Sequence, residues 1–115
     1  MQRTQQAQHT SNMSKIPDIA ITPEQWQIVA AILQKHIPNT TVWAFGSRAK
    51  HQAKPFSDLD LAIIGETPMP ISLLAAMAED FTESALPFKV DLVDWAATGM
   101  AFRGIIEGHK VLVQL

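Results

Sequence analysis

From residue 22 onward, stretches in which apolar residues recur every three or four positions alternate with short runs that are almost continuously apolar. Thr22-Pro23-Glu24-Gln25 opens the first helical stretch. The Thr22 hydroxyl can accept from the Gln25 amide, Pro23 suits the first turn, and the Gln25 side chain can reach back, so a capping box is predicted. Trp26, Val29, Ile32 and Leu33 then share one helical face, and Pro38-Asn39 ends the helix. Residues 41–45 (TVWAF) are β-branched and aromatic and predict a strand, broken by Gly46-Ser47. A short basic helix or loop follows through Lys54-Pro55. Residues 59–64 (LDLAII) predict a second strand that stops at Gly65. Residues 70–85 predict a long helix with Ile71, Leu74, Met77, Ala78 and Phe81 on one stripe. Residues 88–95 predict a third strand, residues 97–107 a helix, and residues 111–113 a short edge strand. The order α-β-(α)-β-α-β-α implies an α/β (α+β) domain with a small mixed sheet of three to four strands flanked by helices.

Residues 1–15 carry only Met1, Ala7 and Met13 as apolar residues among Gln, Thr and Ser. Such a segment cannot offset its ordering entropy by burial, which predicts a disordered polar leader over residues 1–20 and one domain over residues 21–115. Met13 is an alternative start. At 115 residues a single domain is expected, and 47% apolar residues suffice for one core. No Cys is present, which removes disulfides, thiolate zinc sites and thiol nucleophiles. Nine Lys+Arg against eleven Asp+Glu give a net charge of −2 and no basic footprint for nucleic acid. The longest nearly apolar stretch, residues 71–78, is far too short to span a bilayer. A cytoplasmic protein with no direct nucleic-acid or membrane partner is expected.

The informative chemistry lies between the first and third strands. Gly46-Ser47 is followed ten residues later by Asp58-Leu59-Asp60. Successive strand residues alternate faces, so Asp58 and Asp60 point the same way, roughly 6 to 7 Å apart at Cα. Asp is disfavoured in strands, and two on one face repel each other. A hard cation such as Mg²⁺, which takes carboxylate, water and phosphate oxygens, resolves that conflict. In the third strand Lys89, Asp91 and Val93 share one face, while Val90, Leu92 and Asp94 share the other. A helical crossover between the second and third strands allows a parallel pairing that sets Asp60 beside Asp91. Three carboxylates facing one pocket suit two metal ions that neutralise a triphosphate and activate an attacking oxygen. Asp94 is the alternative third acid, although its place before Ala96 suits a helix cap. Gly46 permits close backbone approach to a phosphate, and Ser47 offers an amide and a hydroxyl. Arg48, Lys50 and Lys54 add positive charge nearby. Lys89 suits an ion pair with a nearby carboxylate and a catalytic role equally, and the three Trp residues suit packing.

The run GSRA…SDLDLAI…VDLVDW resembles the polymerase-β-type nucleotidyltransferase superfamily, and within it the minimal nucleotidyltransferase (MNT) proteins, over about residues 22–115. The resemblance implies the nucleotidyltransferase fold. It assigns nucleotide phosphates to Gly46, Ser47 and Arg48, and catalysis and two Mg²⁺ ions to Asp58, Asp60 and Asp91. It also implies ATP as donor and, as partner, a cognate HEPN-family toxin modified with AMP on a tyrosine hydroxyl, in a possible hetero-oligomer. The chain has no Tyr of its own, which fits modification in trans. His51 departs from relatives that often carry Gly at the end of the short helix. Two other readings remain open from sequence: an antitoxin that neutralises its partner by binding alone, and a small-molecule nucleotidyltransferase.

Overall fold

The computed structural model describes residues 15–115. Most of the expected leader falls outside the described residues. Its boundary at residue 20 is corrected, because Ile19 is buried in the core and the Ala20 amide donates to the Arg48 carbonyl at 2.9 Å. The packed chain therefore reaches back to Ile19.

Helix α1, Pro23–His36, begins with the predicted box: the Gln25 amide donates to Thr22 Oγ1 at 3.1 Å, and the Thr22 amide donates to Gln25 Oε1 at 3.0 Å. Trp26, Val29 and Leu33 are its buried residues. Strands β1, Val42–Phe45, and β2, Leu59–Ile63, pair antiparallel. Helix α2, Ile71–Thr82, then crosses over to strand β3, Val90–Asp94, which runs parallel to β2. A short 3-10 turn, Trp95–Ala97, leads into helix α3, Met100–Gly108. Strand β4, Val111–Gln114, pairs antiparallel with β1 through an irregularity at Val42/Trp43. The sheet order is β3-β2-β1-β4, so the chain's first strand is internal. Gln114 fixes β4 in place by donating from Nε2 to the carbonyls of Ile37 at 2.7 Å and Thr40 at 2.8 Å.

Alternation along the strands sorts the side chains. One face sends Val42, Ala44, Leu59, Leu61, Ile63 and Val90 into a core closed by α1 and α2. Leu33, Leu59, Leu61, Ile63 and Met77 are fully buried there, each worth about 1.5–3 kcal/mol against leaving it exposed. The other face holds a smaller cluster of Phe45, Ala62 and Ile106, flanked by Trp43, Ile64, Val93 and Trp95.

The structure settles two details of the predicted elements. Of the helix or loop expected after Gly46, it forms a turn through residues 47–51, with Lys50 N on Gly46 O at 3.2 Å and Gln52 N on Ser47 O at 2.9 Å. His51 closes it at φ +57°, the left-handed region where Gly is least strained. In α2 the buried side runs through Met77 and Phe81, whereas Ile71 and Ala78 face outward. Ile71 lies on the first turn and is 84% exposed. Among the described residues, no helix is long and apolar enough to cross a membrane.

Candidate active site

The site forms where β1 ends and β2 and β3 begin. In the antiparallel register Phe45 lies opposite Asp60, so the chain leaves β1 through Gly46 beside that carboxylate. In the parallel register Asp60 lies opposite Asp91. Both Asp residues occupy the face shared with Phe45 and Ala62, opposite the core of α1 and α2. Asp58 stands exposed just before β2. Asp94 lies at the far end of the register, opposite Ile63, on the other face from Asp91. It precedes the 3-10 turn but makes no side-chain cap. Its Oδ2 instead accepts from the Met69 amide at 2.8 Å, while Oδ1 is buried without a partner.

Gly46 is required twice over. It sits at φ +79°, and a Cβ there would collide with Asp60 Oδ2. Replacing it would strain the backbone and displace the carboxylate together. The glycine and the acid are complementary halves of one surface.

The electrostatics follow from this crowding. The Asp60 carboxyl is pushed up to about 6, first by burial, then by the charges of Asp91 and Asp58, with a hydrogen bond to Asp91 adding to the effect. Each cause disfavours a second negative charge in the same space. Lys89 Nζ lies 3.3 Å from Asp91 Oδ1 and is largely exposed, the ion pair that its place in the strand suggested. Among the described residues no three His, Asp or Glu side chains are already closed into a metal cage. Asp60 and Asp91 form a preset pair, and Asp58 is a more open third arm. Their chemistry fits a hard divalent cation: the donors are all oxygen, and a positive ion removes the repulsion that holds the Asp60 proton.

Arg48 is corrected. Expected beside phosphate, it is 4% exposed. Its guanidinium donates to the carbonyls of Ser57 at 2.9 Å, Ala20 at 2.7 Å, Pro55 at 3.0 Å and Lys54 at 3.3 Å. It also lies 3.9 Å above the Phe88 ring. Burial lowers its pKa, and Asp58 opposes that shift. Four hydrogen bonds and a ring contact engage the guanidinium within the chain, so Arg48 fastens the turn after Gly46 to the loop that carries Asp58. Ser57 belongs to the same anchor. Its hydroxyl accepts from the Lys54 amide at 2.9 Å and its carbonyl receives Arg48, which shapes the approach to Asp58. The Lys-Pro-x-Ser spacing is the signal that marks such a turn. Away from this cluster, Trp26, Ala30, Gln34, Leu112 and Leu115 line a cavity of about 580 Å³ that shares no residue with the carboxylates.

A mixed sheet with Gly-Ser at the end of one strand, Asp-x-Asp entering the next and a third Asp on a parallel neighbour defines a nucleotidyltransferase. Residues 27–114 match the family described as "Polymerase beta, Nucleotidyltransferase", and the chain belongs to that family. It is 48% identical over 102 residues to the "Probable protein adenylyltransferase MntA" of Haemophilus influenzae, a match covering 89% of this chain and 90% of that protein. Its fold is similar to a crystal structure of a toxin–antitoxin with AMP-PNP, at a TM-score of 0.64 and 22% identity, covering 76% of this chain and 70% of that one. A toxin–antitoxin MntA–HpeT structure carrying two Asp-to-Glu substitutions superposes at 0.62 with 21% identity, covering 78% and 73%.

Proposed function

We propose that this nucleotidyltransferase is an antitoxin that moves AMP from ATP onto a tyrosine hydroxyl of a cognate HEPN-family toxin. The observation that carries the reading is the Asp60–Asp91 register with Gly46 fitted against Asp60. It concentrates negative charge at one open edge and leaves no Cβ between the Gly46 main chain and an incoming phosphate. The 48% identity to a protein named as a protein adenylyltransferase supports the acceptor class. The toxin–antitoxin structures of similar fold support the partner class.

Asp58, Asp60 and Asp91 would hold one or two Mg²⁺ ions, whose charge would offset that of the triphosphate and polarise the reacting oxygens. The Gly46 and Ser47 backbone and the Ser47 hydroxyl would orient the phosphates. Asp91, on the edge strand β3 and in contact with exposed Lys89 as well as Asp60, would take the acceptor's proton. The acceptor oxygen then forms a bond to the α-phosphorus, the bond from that phosphorus to the β-phosphate bridging oxygen breaks, and pyrophosphate leaves. In-line alignment supplies much of the rate.

The test incubates the chain with α-labelled ATP, Mg²⁺ and the product of its neighbouring reading frame. Label should appear on a tyrosine of that protein and vanish for Asp58→Asn/Asp60→Asn. Undiminished transfer by the double variant, or none by the wild type, overturns the reading. Neutralisation that survives the double variant without any transfer favours an antitoxin acting by binding alone.

A further inference from the structure

Helix α3 is fastened to the sheet along one side only. Ile106 is its one fully buried residue. Beside Ile106, Phe102 sets its ring edge-on to Phe45 at 5.8 Å. Arg103 donates to the Trp95 carbonyl at 2.8 Å and lies over the Trp95 ring. At 3.6 residues per turn, Met100, Ala101, Gly104, Ile105 and Gly108 occupy the opposite and lateral positions, and Glu107 lies at the flank beside Met100. All six are exposed and Glu107 is the one charged residue among them, with Met100 86% and Ile105 67% exposed. A surface helix ordinarily turns charged residues to that side.

Gly104 and Gly108 sharpen the anomaly. A Cβ built at either meets nothing within 4 Å, so no neighbour in this chain requires glycine there. Glycine is among the poorest formers of a helix interior, so the helix gives up stability at exposed Gly104 without an internal return.

The location says what would use this surface. α3 covers the same sheet face that carries Asp60 and Asp91, and Phe102 rests on Phe45, the residue before Gly46 and the register partner of Asp60. The apolar strip is therefore continuous with the mouth of the carboxylate site. Met100, Phe102 and Ile105 together present on the order of a few hundred Å² of apolar surface, the range in which a patch marks an interaction site. A stable interface takes about 800 Å² from each partner. An occupant confined to α3 falls short of that and must extend onto the adjoining surface, which includes the carboxylate mouth. The molecule that must cover that mouth is the acceptor.

We infer that α3 is the docking surface for the acceptor protein, which lays an apolar helix across Met100, Gly104 and Ile105 while its hydroxyl enters beside Asp60 and Asp91. This rests on the transfer reaction proposed above. A helix fits better than a strand because α3 offers no open ladder of amides, while bare backbone at Gly104 and Gly108 admits an axis at the near end of the usual ~8–10 Å spacing.

Gly104→Leu and Ile105→Glu test it, with the purified product of the neighbouring reading frame as the probe. Both positions face solvent, so both variants should fold, and Gly104→Leu should melt at or above the wild-type temperature. Titration calorimetry should show affinity for the probe reduced at least tenfold, and KM for it should rise in parallel. The dissociation constant for ATP should stay within twofold. Unchanged probe affinity in both variants, with transfer intact in the wild type, overturns the docking surface and leaves the transfer reaction standing. Wild-type binding without transfer, lost in the variants, does the reverse. Lost self-association with an unchanged KM assigns α3 to a second copy of the chain and overturns the inference, as does a wild type that does not bind the probe.

Discussion

Leu61 and Asp60 are neighbours on β2 and look into different environments. Leu61 enters a core in which Leu33, Leu59, Ile63 and Met77 are also sealed from water by two helices. Asp60 faces the other way, beside a second carboxylate, under a single short helix with one buried residue. The α1/α2 side carries the stability of the fold. The α3 side holds groups that repel each other and an apolar surface that no part of the described chain covers. A 2-residue repeat thus allows one strand to supply both, because alternation keeps the two demands from competing for the same positions.

Substitutions on each side should break this contrast in different observables. The largest effect belongs to Asp58→Asn/Asp60→Asn, which should lower AMP transfer on the order of 10³-fold, about 4 kcal/mol in the barrier, without unfolding the chain. Rate measurements beside far-ultraviolet circular dichroism check both halves. Leu61→Ala should do the opposite, costing about 3 kcal/mol of stability in urea unfolding while the folded fraction keeps its turnover. Arg48→Met should cost about 2 kcal/mol, since four carbonyls lose a charged donor, and Arg48→Lys should recover little because an ammonium cannot span them. ATP affinity per folded molecule should be unchanged in Arg48→Met. A tenfold loss there would return Arg48 to the phosphates.

Asp60→Asn alone should stabilise the metal-free chain at pH 7. The Asp60 carboxyl is raised from 3.8 to about 6, so across that window the folded chain keeps a proton that the unfolded chain releases. Its stability contribution is full below pH 3.8 and is lost as pH rises through about 6. Half-exposure screens the effect to about 1 kcal/mol. Unfolding measured from pH 4 to 7 should show this decline in the wild type and a flatter profile in Asp60→Asn. The smallest effect is His51→Gly, which should relieve the left-handed strain and stabilise by about 0.5 kcal/mol, offset in part by losing the exposed contact with Asp18 at 2.9 Å.

Much of the fold was legible because the signals were local. The capping box needs four residues, and each strand shows itself in its own β-branched run. Asp58, Asp60 and Asp91 could be brought together from sequence because strand alternation and a right-handed crossover leave few ways to arrange them. Arg48 could not be read in this way. Next to Gly46-Ser47 it looks like a phosphate ligand, and only the folded chain brings Ala20, Lys54, Pro55 and Ser57 around it. Whether the segment after Gly46 forms a helix or a loop was open for a related reason: that side-chain anchor can hold a single turn without further helical bonds. The outward face of α3 was visible as composition, but which side of the helix met the sheet was not.

The strand order β3-β2-β1-β4 also bears on how activity is acquired. β1 becomes internal only when β4, some seventy positions downstream, closes against it, and Asp60 meets Asp91 only through the α2 crossover. Such distant pairings form late, because the entropy of closing the loops is spent before the contacts repay it. The β1–β2 hairpin alone carries Gly46, Asp58 and Asp60 but lacks Asp91, so a half-folded molecule would hold an incomplete set of carboxylates. The topology makes catalysis a check that folding is complete.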